Sequence, residues 1–432
     1  KMSKPFVVVS CPLDTFSGYG SRSRDVVRAL LKSEKYDVKV LSQRWGTTPY
    51  GFLDENDPED KKLLDCIIPS PLQRQPDVWI QITVPNEFQK IGKFSIGITA
   101  GIETDICTHH FIEGCNRMDL ILGSSNHTVD VFKRTQYDKK DKEGKTQGML
   151  KLETPVDILI EGLDLEKYYH IEPSKLPQTQ LVKSLNEIDE QFCFLFVGHW
   201  LQGAIGEDRK NVGLMLKTFL ETFKNKSKRP ALVMKTMSGG ASIMDREEIL
   251  KRIDAVRKGV NGTLPNVYLL HGEIEDKDMN HLYNHPKIKA MVSLTKGEGF
   301  GRPLLEFTQS KKPVIASNWS GHLDFLNSDF ASLVPGELKE IDGSAVQKDL
   351  LIEKSKWFSP DINFVSLLLK DYVNGYKQYQ VNGKRLGYYC KSNFSFDIMQ
   401  QKLEEVLDKN APKKVEIKLP NIKKISLPKK DV

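Results

Sequence analysis

Two acids, Glu298 and Glu306, stand eight residues apart in "KGEGFGRPLLEF", with Gly299, Phe300 and Gly301 between them. The preceding "AMVSLT" reads as a short buried strand, and Pro303 suits the first turn of a following helix, where its missing amide would be unpaired anyway. Amides at such a helix start favour anions, and glycine lets a ligand come close to the backbone, so the turn is a candidate phosphate seat. A carboxylate beside a phosphate would repel it. Glu298 and Glu306 are therefore better suited to accept hydrogen bonds from hydroxyls, as on a sugar or ribose. Alone, Glu306 reads as an acid compensating the helix dipole and Glu298 as a solvated loop acid. Beside the glycines, the pair points to a sugar nucleotide.

These residues need a scaffold that aims loops at a common cleft. Strands such as "FCFLFVG", "ALVMKT", "NVYLLHG", "AMVSLT", "PVIAS" and "ASLVP" alternate with helical stretches such as "VGLMLKTFLETF" and predict a parallel sheet over the second half. "PFVVVS", "YDVKVLS", "DVWIQIT", "FSIGITA", "DLILGSS" and "VDILIEGLD" predict another over the first. The polar stretch from about 168 to 191 reads as a linker. The fold class expected is α/β, two doubly wound domains facing a cleft, and ligands bind beyond the carboxyl ends of such strands.

Composition narrows the alternatives. A chain of 432 residues exceeds one ordinary core. No apolar run reaches the roughly 18 residues of a membrane helix, and the start lacks the apolar length of a secretory signal. Scattered cysteines without a C-x-x-C suit reduced thiols, so a cytoplasmic location is expected. The net charge is +6, but residues 411–432 hold seven lysines against Glu416 and Asp431. Basicity is thus mostly a property of the tail, read as a solvated end before a docking segment for an anionic partner or a membrane surface.

"EGFGRPLLE" followed by "PVIASNWSGHLDF" resembles the E-x7-E signature of retaining glycosyltransferases of family 4. The resemblance implies the GT-B fold: an acceptor-side domain over 1–180, a donor domain over 181–385, a helix over 386–410 returning to the first domain, and the tail. It implies that Glu306 binds the nucleotide ribose, that Glu298 lies near the donor sugar, and that the amides of Gly299 to Gly301 face sugar and phosphate. "FLFVGHWLQGAIGEDRKNVGLMLKTF" resembles the family's strand, loop and basic pair, in which Lys210 grips the diphosphate. Where many members have an arginine this chain has His199, with Arg209 as substitute, and Lys235 is a second diphosphate candidate. "SGYGSR" fits the family's glycine-rich turn, with Gly18, Gly20 and Arg22 as candidates. Where many members carry an acceptor-side histidine, Glu103 or Asp105 would face the sugar.

Other motifs fail. Ser23 stands where a dinucleotide fingerprint needs its third glycine, and no Walker sequence occurs. Cys107, His109, His110 and Cys115 match no common zinc spacing. His271 reads as a strand-end residue near the cleft. The expected activity is transfer of a hexose from a nucleoside diphosphate sugar, UDP-glucose before GDP-mannose, to a hydroxyl of a glycan, lipid or modified base, with no obligatory metal or other cofactor. A nucleotide-sugar hydrolase or epimerase, a DNA-base glycosyltransferase, and a non-catalytic scaffold are the alternatives.

Overall fold

The computed structural model describes residues 4–412, so most of the lysine-rich tail lies outside the described residues. The first domain contains β1 (Phe6–Cys11), β2 (Asp37–Ser42), β3 (Val78–Ile82), β4 (Phe94–Thr99) and β5 (Leu120–Gly123). A small antiparallel pair follows, β6 (Tyr137–Lys140) and β7 (Thr146–Leu150), and then β8 (Val156–Ile158). All but that pair form one parallel sheet in the order β2-β1-β3-β4-β5-β8. The apolar run of β1 is buried throughout, as expected when helices cover both faces of a parallel sheet.

The second domain repeats the plan with β9 (Cys193–Val197), β10 (Ala231–Lys235), β11 (Val267–Leu270), β12 (Ile288–Ser293), β13 (Val314–Ser317) and β14 (Ser332–Val334). Their order is β11-β10-β9-β12-β13-β14, all parallel. Each order reverses beside the domain's first strand, and a crevice forms at such a switch point beyond the strands' carboxyl ends. The loops after β1, β4, β9 and β12 therefore meet between the domains. The expected doubly wound pair is what the chain forms.

Three expectations about its joints need correction. The stretch read as a linker contains the helix Gln180–Asn186, whose Val182 and Leu185, followed by Ile188, are buried against neighbours. Leu163, Tyr168, Leu185 and Ile188 already belong to the second domain's core, so that core begins well before 181. The helix Tyr376–Asn393 also stays with the second domain: a Cβ at Gly383 or Gly387 would meet the backbone of Lys312 or Thr308 at 2.5 and 2.7 Å. Only the last helix, Phe396–Asn410, returns, burying Met399, Leu403, Val406 and Leu407 in the core of the first domain. The crossing is thus at 394–395 rather than 386.

The third correction concerns residues 336–360. Residues inside the expected donor domain form β16 (Lys356–Pro360), which pairs antiparallel with β15 (Gly336–Glu340). The two strands carry an arm whose Ile341, Ala345, Leu351 and Trp357 pack with Phe6, Trp79, Phe88 and Phe111 of the first domain. Asp105 fastens it: its amide donates to Lys356 O at 2.8 Å and its Oδ1 accepts from Lys356 N at 2.7 Å. No helix among the described residues is long and apolar enough to cross a membrane.

Candidate functional site

Glu298 follows β12 in a turn fixed from both sides. Its amide donates to Ser320 Oγ at 2.9 Å and its carbonyl accepts from Gly321 N at 2.8 Å. Lys296 N donates to Arg209 O at 2.8 Å, which brings the loop after β9 alongside. The two loops place Lys210 Nζ 2.5 Å from Glu298 Oε1 and Arg209 Nη1 3.3 Å from Glu298 Oε2, while Arg209 Nε lies 3.6 Å from Glu103 Oε1. Four residues predicted from sequence are thus one cluster. Burial would raise the Glu298 carboxyl, but Lys210 and Arg209 overcome it and hold the group at about 2. Burial pulls Lys210 down with Glu298 opposing; for Arg209 the pull of burial is outweighed by Glu103 and Glu298, so it is raised. Two cations and two carboxylates balance, and an entering diphosphate would compete with Glu298 and Glu103 for the cations.

Glu306 has the opposite environment. It sits half-buried on the helix Arg302–Phe307, its carboxyl making no hydrogen bond or ion pair among the described residues. Burial pushes its carboxyl up to about 8; Arg302 opposes the rise, and Asp276, Asp25 and Glu161 add to it. Arg302, which the sequence reading passed over, reaches across the cleft, with Nη2 2.7 Å from Asp25 Oδ2 and 3.8 Å from Glu161 Oε1. Its position at the start of the signature helix was the available signal.

The turn between the acids behaves differently from its sequence reading. The amides of Gly299, Phe300 and Gly301 donate to no acceptor among the described residues, as an anion seat requires. Yet the glycines answer mainly to other demands. A Cβ at Gly299 would lie 2.7 Å from Ala100 O, and one at Gly297 would lie 2.3 Å from Glu103 O, so both allow the two domains to touch. Ser125 Oγ donates to Gly299 O at 2.6 Å across the same contact. Gly301 takes φ 93°, the left-handed conformation that starts the helix. Phe300 is buried and packs on Phe325 at 5.1 Å, so it presents backbone rather than a ring to a ligand.

The remaining candidates divide. Lys235 ends β10, half-buried, and its ammonium has no hydrogen bond or ion pair among the described residues; burial lowers it, with Glu273 opposing. His199 stands exposed beyond β9. Gly18 is exposed at the start of the helix Gly18–Ser33 with open space around it. Gly20 is demanded by packing instead, since a Cβ there would lie 2.3 Å from Thr15 O. Arg22 is no ligand group: its buried guanidinium donates to Ile160 O at 2.5 Å and to Leu159 O. Asp105 is committed to the arm, whereas Glu103 lies beside Arg209 in the cluster. Tyr19, not foreseen, bridges Thr99 Oγ1 and Ala100 N at 3.2 Å each and stacks on Trp45.

His271 has a definite partner. Its Nε2 lies 2.7 Å from Asp245 Oδ2, and Asp245 also accepts from the Ser238 hydroxyl and from the amides of Ser238 and Gly239. Burial would raise Asp245, but these bonds hold it at about 2, and the loop after β10 is ordered as a result. Cys107 and Cys115 are buried in the first domain's core, away from any ligand role, whereas His109, His110 and Glu113 gather at the surface.

Comparisons with known proteins agree with this geometry. Residues 261–342 match the family model described as glycosyl transferases group 1. Comparison with curated proteins gives no match. Among solved structures, sucrose-phosphate synthase from Thermosynechococcus elongatus superposes with a TM-score of 0.61 at 12% identity, covering 94% of this chain and 99% of that one. A glycosyltransferase from Rickettsia africae gives 0.56 at 14%, covering 94% and 98%. Anabaena HepE in complex with UDP-glucose gives 0.54 at 11%, covering 94% and 100%. The signature turn from Glu298 to Glu306 lies inside the matched segment, on a fold shared over nearly the whole chain. The chain has the GT-B fold, and its segment 261–342 is similar to the glycosyl transferases group 1 family.

Proposed function

We propose that the chain is a retaining hexosyltransferase that uses a nucleoside diphosphate sugar, with UDP-glucose the first candidate and GDP-mannose the second. The observation that carries this reading is the buried cluster of Glu298, Lys210 and Arg209 beside the free amides of 299–301, with Glu306 left uncommitted one helical stretch away. Lys210, Arg209 and the unpaired Lys235 supply the positive charge a departing diphosphate needs, and the 299–301 amides add donors. His199 stands at the rim on the same side. Glu306 would accept the ribose hydroxyls and Glu298 a hydroxyl of the donor sugar. UDP as donor base has its support in HepE, whose structure holds UDP-glucose, and in a UDP-forming trehalose-phosphate synthase of the same fold.

In the step proposed, the bond from the sugar's anomeric carbon to the diphosphate oxygen breaks, and its electron pair stays on that oxygen. The acceptor oxygen bonds to the anomeric carbon on the same face and yields its proton to a phosphate oxygen of the leaving group. Basic side chains take the place of a divalent ion in this reading, so thoroughly dialysed protein should transfer without added Mg²⁺ or Mn²⁺; activity restored only by metal would overturn that part. The acceptor is a hydroxyl on the Glu103 side of the cleft.

A thermal-shift screen against UDP, GDP, ADP and their sugars, repeated with Glu306→Ala, tests the donor assignment. One diphosphate should raise the melting temperature and lose that effect in the variant. No shift with any nucleotide would refute the transferase reading.

A further inference from the structure

We propose that the acceptor carries a compact apolar group, an aryl or branched alkyl substituent close to the reacting hydroxyl, and that the arm and the first domain together form its seat. The inference rests on the transferase reading above and specifies its second substrate. Beside Glu103 and Arg209 the structure holds a cavity of about 250 Å³. Val84, Ile102 and Phe111 of the first domain form one side, and Leu350, Leu351 and Trp357 of the arm form another.

Polarity across this cavity is uneven. Tyr19 also borders it, but its hydroxyl is already bonded to Thr99 and Ala100. Gln202 and Gln347 are exposed and so belong to the outer rim. Glu103 and Arg209 are half-buried, touch each other at 3.6 Å, and adjoin Glu298. Polar contacts are therefore available at the reacting end and at the solvent end, with aliphatic and aromatic walls between.

That pattern selects against an acceptor that is hydroxylated all round. Each hydroxyl pressed unpaired against Val84, Leu201 or Leu350, the half-buried apolar side chains of the wall, would cost about 1–3 kcal/mol. An apolar ring gains in the same place, since burial returns roughly 25 cal/mol per Å². At about 250 Å³ the cavity lies below the roughly 300–1,000 Å³ typical of drug-sized ligand sites, which suits a small substituent. The arm makes the seat specific to this chain's closed form, because half of the apolar wall comes from residues 350–357 of the second domain.

Equilibrium binding of phenyl β-D-glucopyranoside and methyl β-D-glucopyranoside to the full chain tests the proposal, since the two probes differ only in the apolar substituent. The phenyl glycoside should bind about tenfold more tightly, equivalent to ~1.4 kcal/mol. Leu350→Gln, at a half-buried wall position, should reduce that preference several-fold, and Gln347→Leu, at the exposed rim, should enlarge it, while the methyl glycoside is unaffected. Equal affinity for the two probes, or a preference that neither variant moves, would overturn the seat. Thermal shift by nucleotides in the same samples separates the two proposals. A nucleotide shift without phenyl preference overturns the seat alone, and a phenyl preference in protein that no nucleotide stabilises overturns its assignment to an acceptor.

Discussion

Glu298 and Glu306 are the same residue type, two helical turns apart in sequence, and their surroundings push them in opposite directions. Glu298 is ionised by two adjacent cations, whereas Glu306 is buried among other acids with only Arg302 to relieve it. The signs lead to separate pH effects. The lowered Glu298 carboxyl contributes stability that is present above its unfolded value near 4.5 and is lost as pH falls towards 2. For the raised Glu306 carboxyl the native state binds the proton more tightly, so stability declines as pH rises from about 4.5 to about 8. Glu306→Gln should therefore melt several degrees above the parent at pH 8.5 and close to it at pH 4.5; equal melting temperatures at both would show that Glu306 is not the buried acid described here. Hydroxyl donors favour the carboxylate, so donor binding near pH 7 should expel a proton, read in calorimetry as an enthalpy that varies with buffer ionisation heat. Lys210→Ala, which removes the proposed diphosphate cation and leaves Glu298 with Arg209 alone, should lower kcat/KM by about 10²–10³-fold. Glu103, Arg209, Lys210 and Glu298, named in the sequence largely through the resemblance, do meet in one cluster, whereas Glu306 stands apart on its helix. The sequence left Arg22 and Asp105 misread because a buried arginine serving carbonyls and an acid serving an amide look, in one dimension, like ligand groups.

Elements with a clear hydrophobic period were legible, and those without one were not. Central strands such as β1 and β13 lie in continuous apolar runs because both their faces are buried, and an edge strand such as β2 is marked by alternation instead. The arm has no such mark: Ile341, Ala345, Leu351 and Trp357 are spaced irregularly through a polar stretch, because a surface arm anchors by single side chains rather than by a continuous face. The exposed pair β6 and β7, YDKK and TQGML, is equally silent, having no buried face to impose alternation. Anchoring by single side chains concentrates the energetics. Trp357 is 2% exposed and lies in the first domain's core although it belongs to the second. Trp357→Ala should cost about 3–5 kcal/mol in urea unfolding of the full chain. It should also raise proteolytic nicking within 341–355. A variant as stable and as resistant as the parent would mean that the arm does not depend on this anchor.

At the scale of the whole molecule, the contacts between domains fall on the signature turn itself. Gly297 and Gly299 press on Glu103 and Ala100, Ser125 holds Gly299 O, Asn126 N donates to Asp324 Oδ2 at 2.9 Å, and Arg302 pairs with Asp25. The same backbone forms the domain contact and the signature turn, so in the transferase proposed above closing the cleft and shaping the donor turn would be one event. A closed cleft excludes water and favours an acceptor hydroxyl over hydrolysis. Gly299→Ala separates these roles from folding. The added Cβ, 2.7 Å from Ala100 O and 2.9 Å from its Cβ, cannot be accommodated by a flexible side chain, so the domains must part slightly. Each sheet keeps its own core, since Gly299 belongs to neither cluster of buried apolar side chains. The expected outcome is a near-parental circular dichroism spectrum, a larger radius of gyration by small-angle scattering, and a fall in the ratio of transfer to donor hydrolysis of roughly tenfold or more, as expected when a reacting geometry is displaced by about an ångström. Parental scattering with a parental transfer ratio would mean that closure does not run through this contact, and the tight fit of Gly299 on Ala100 would then be only a packing feature.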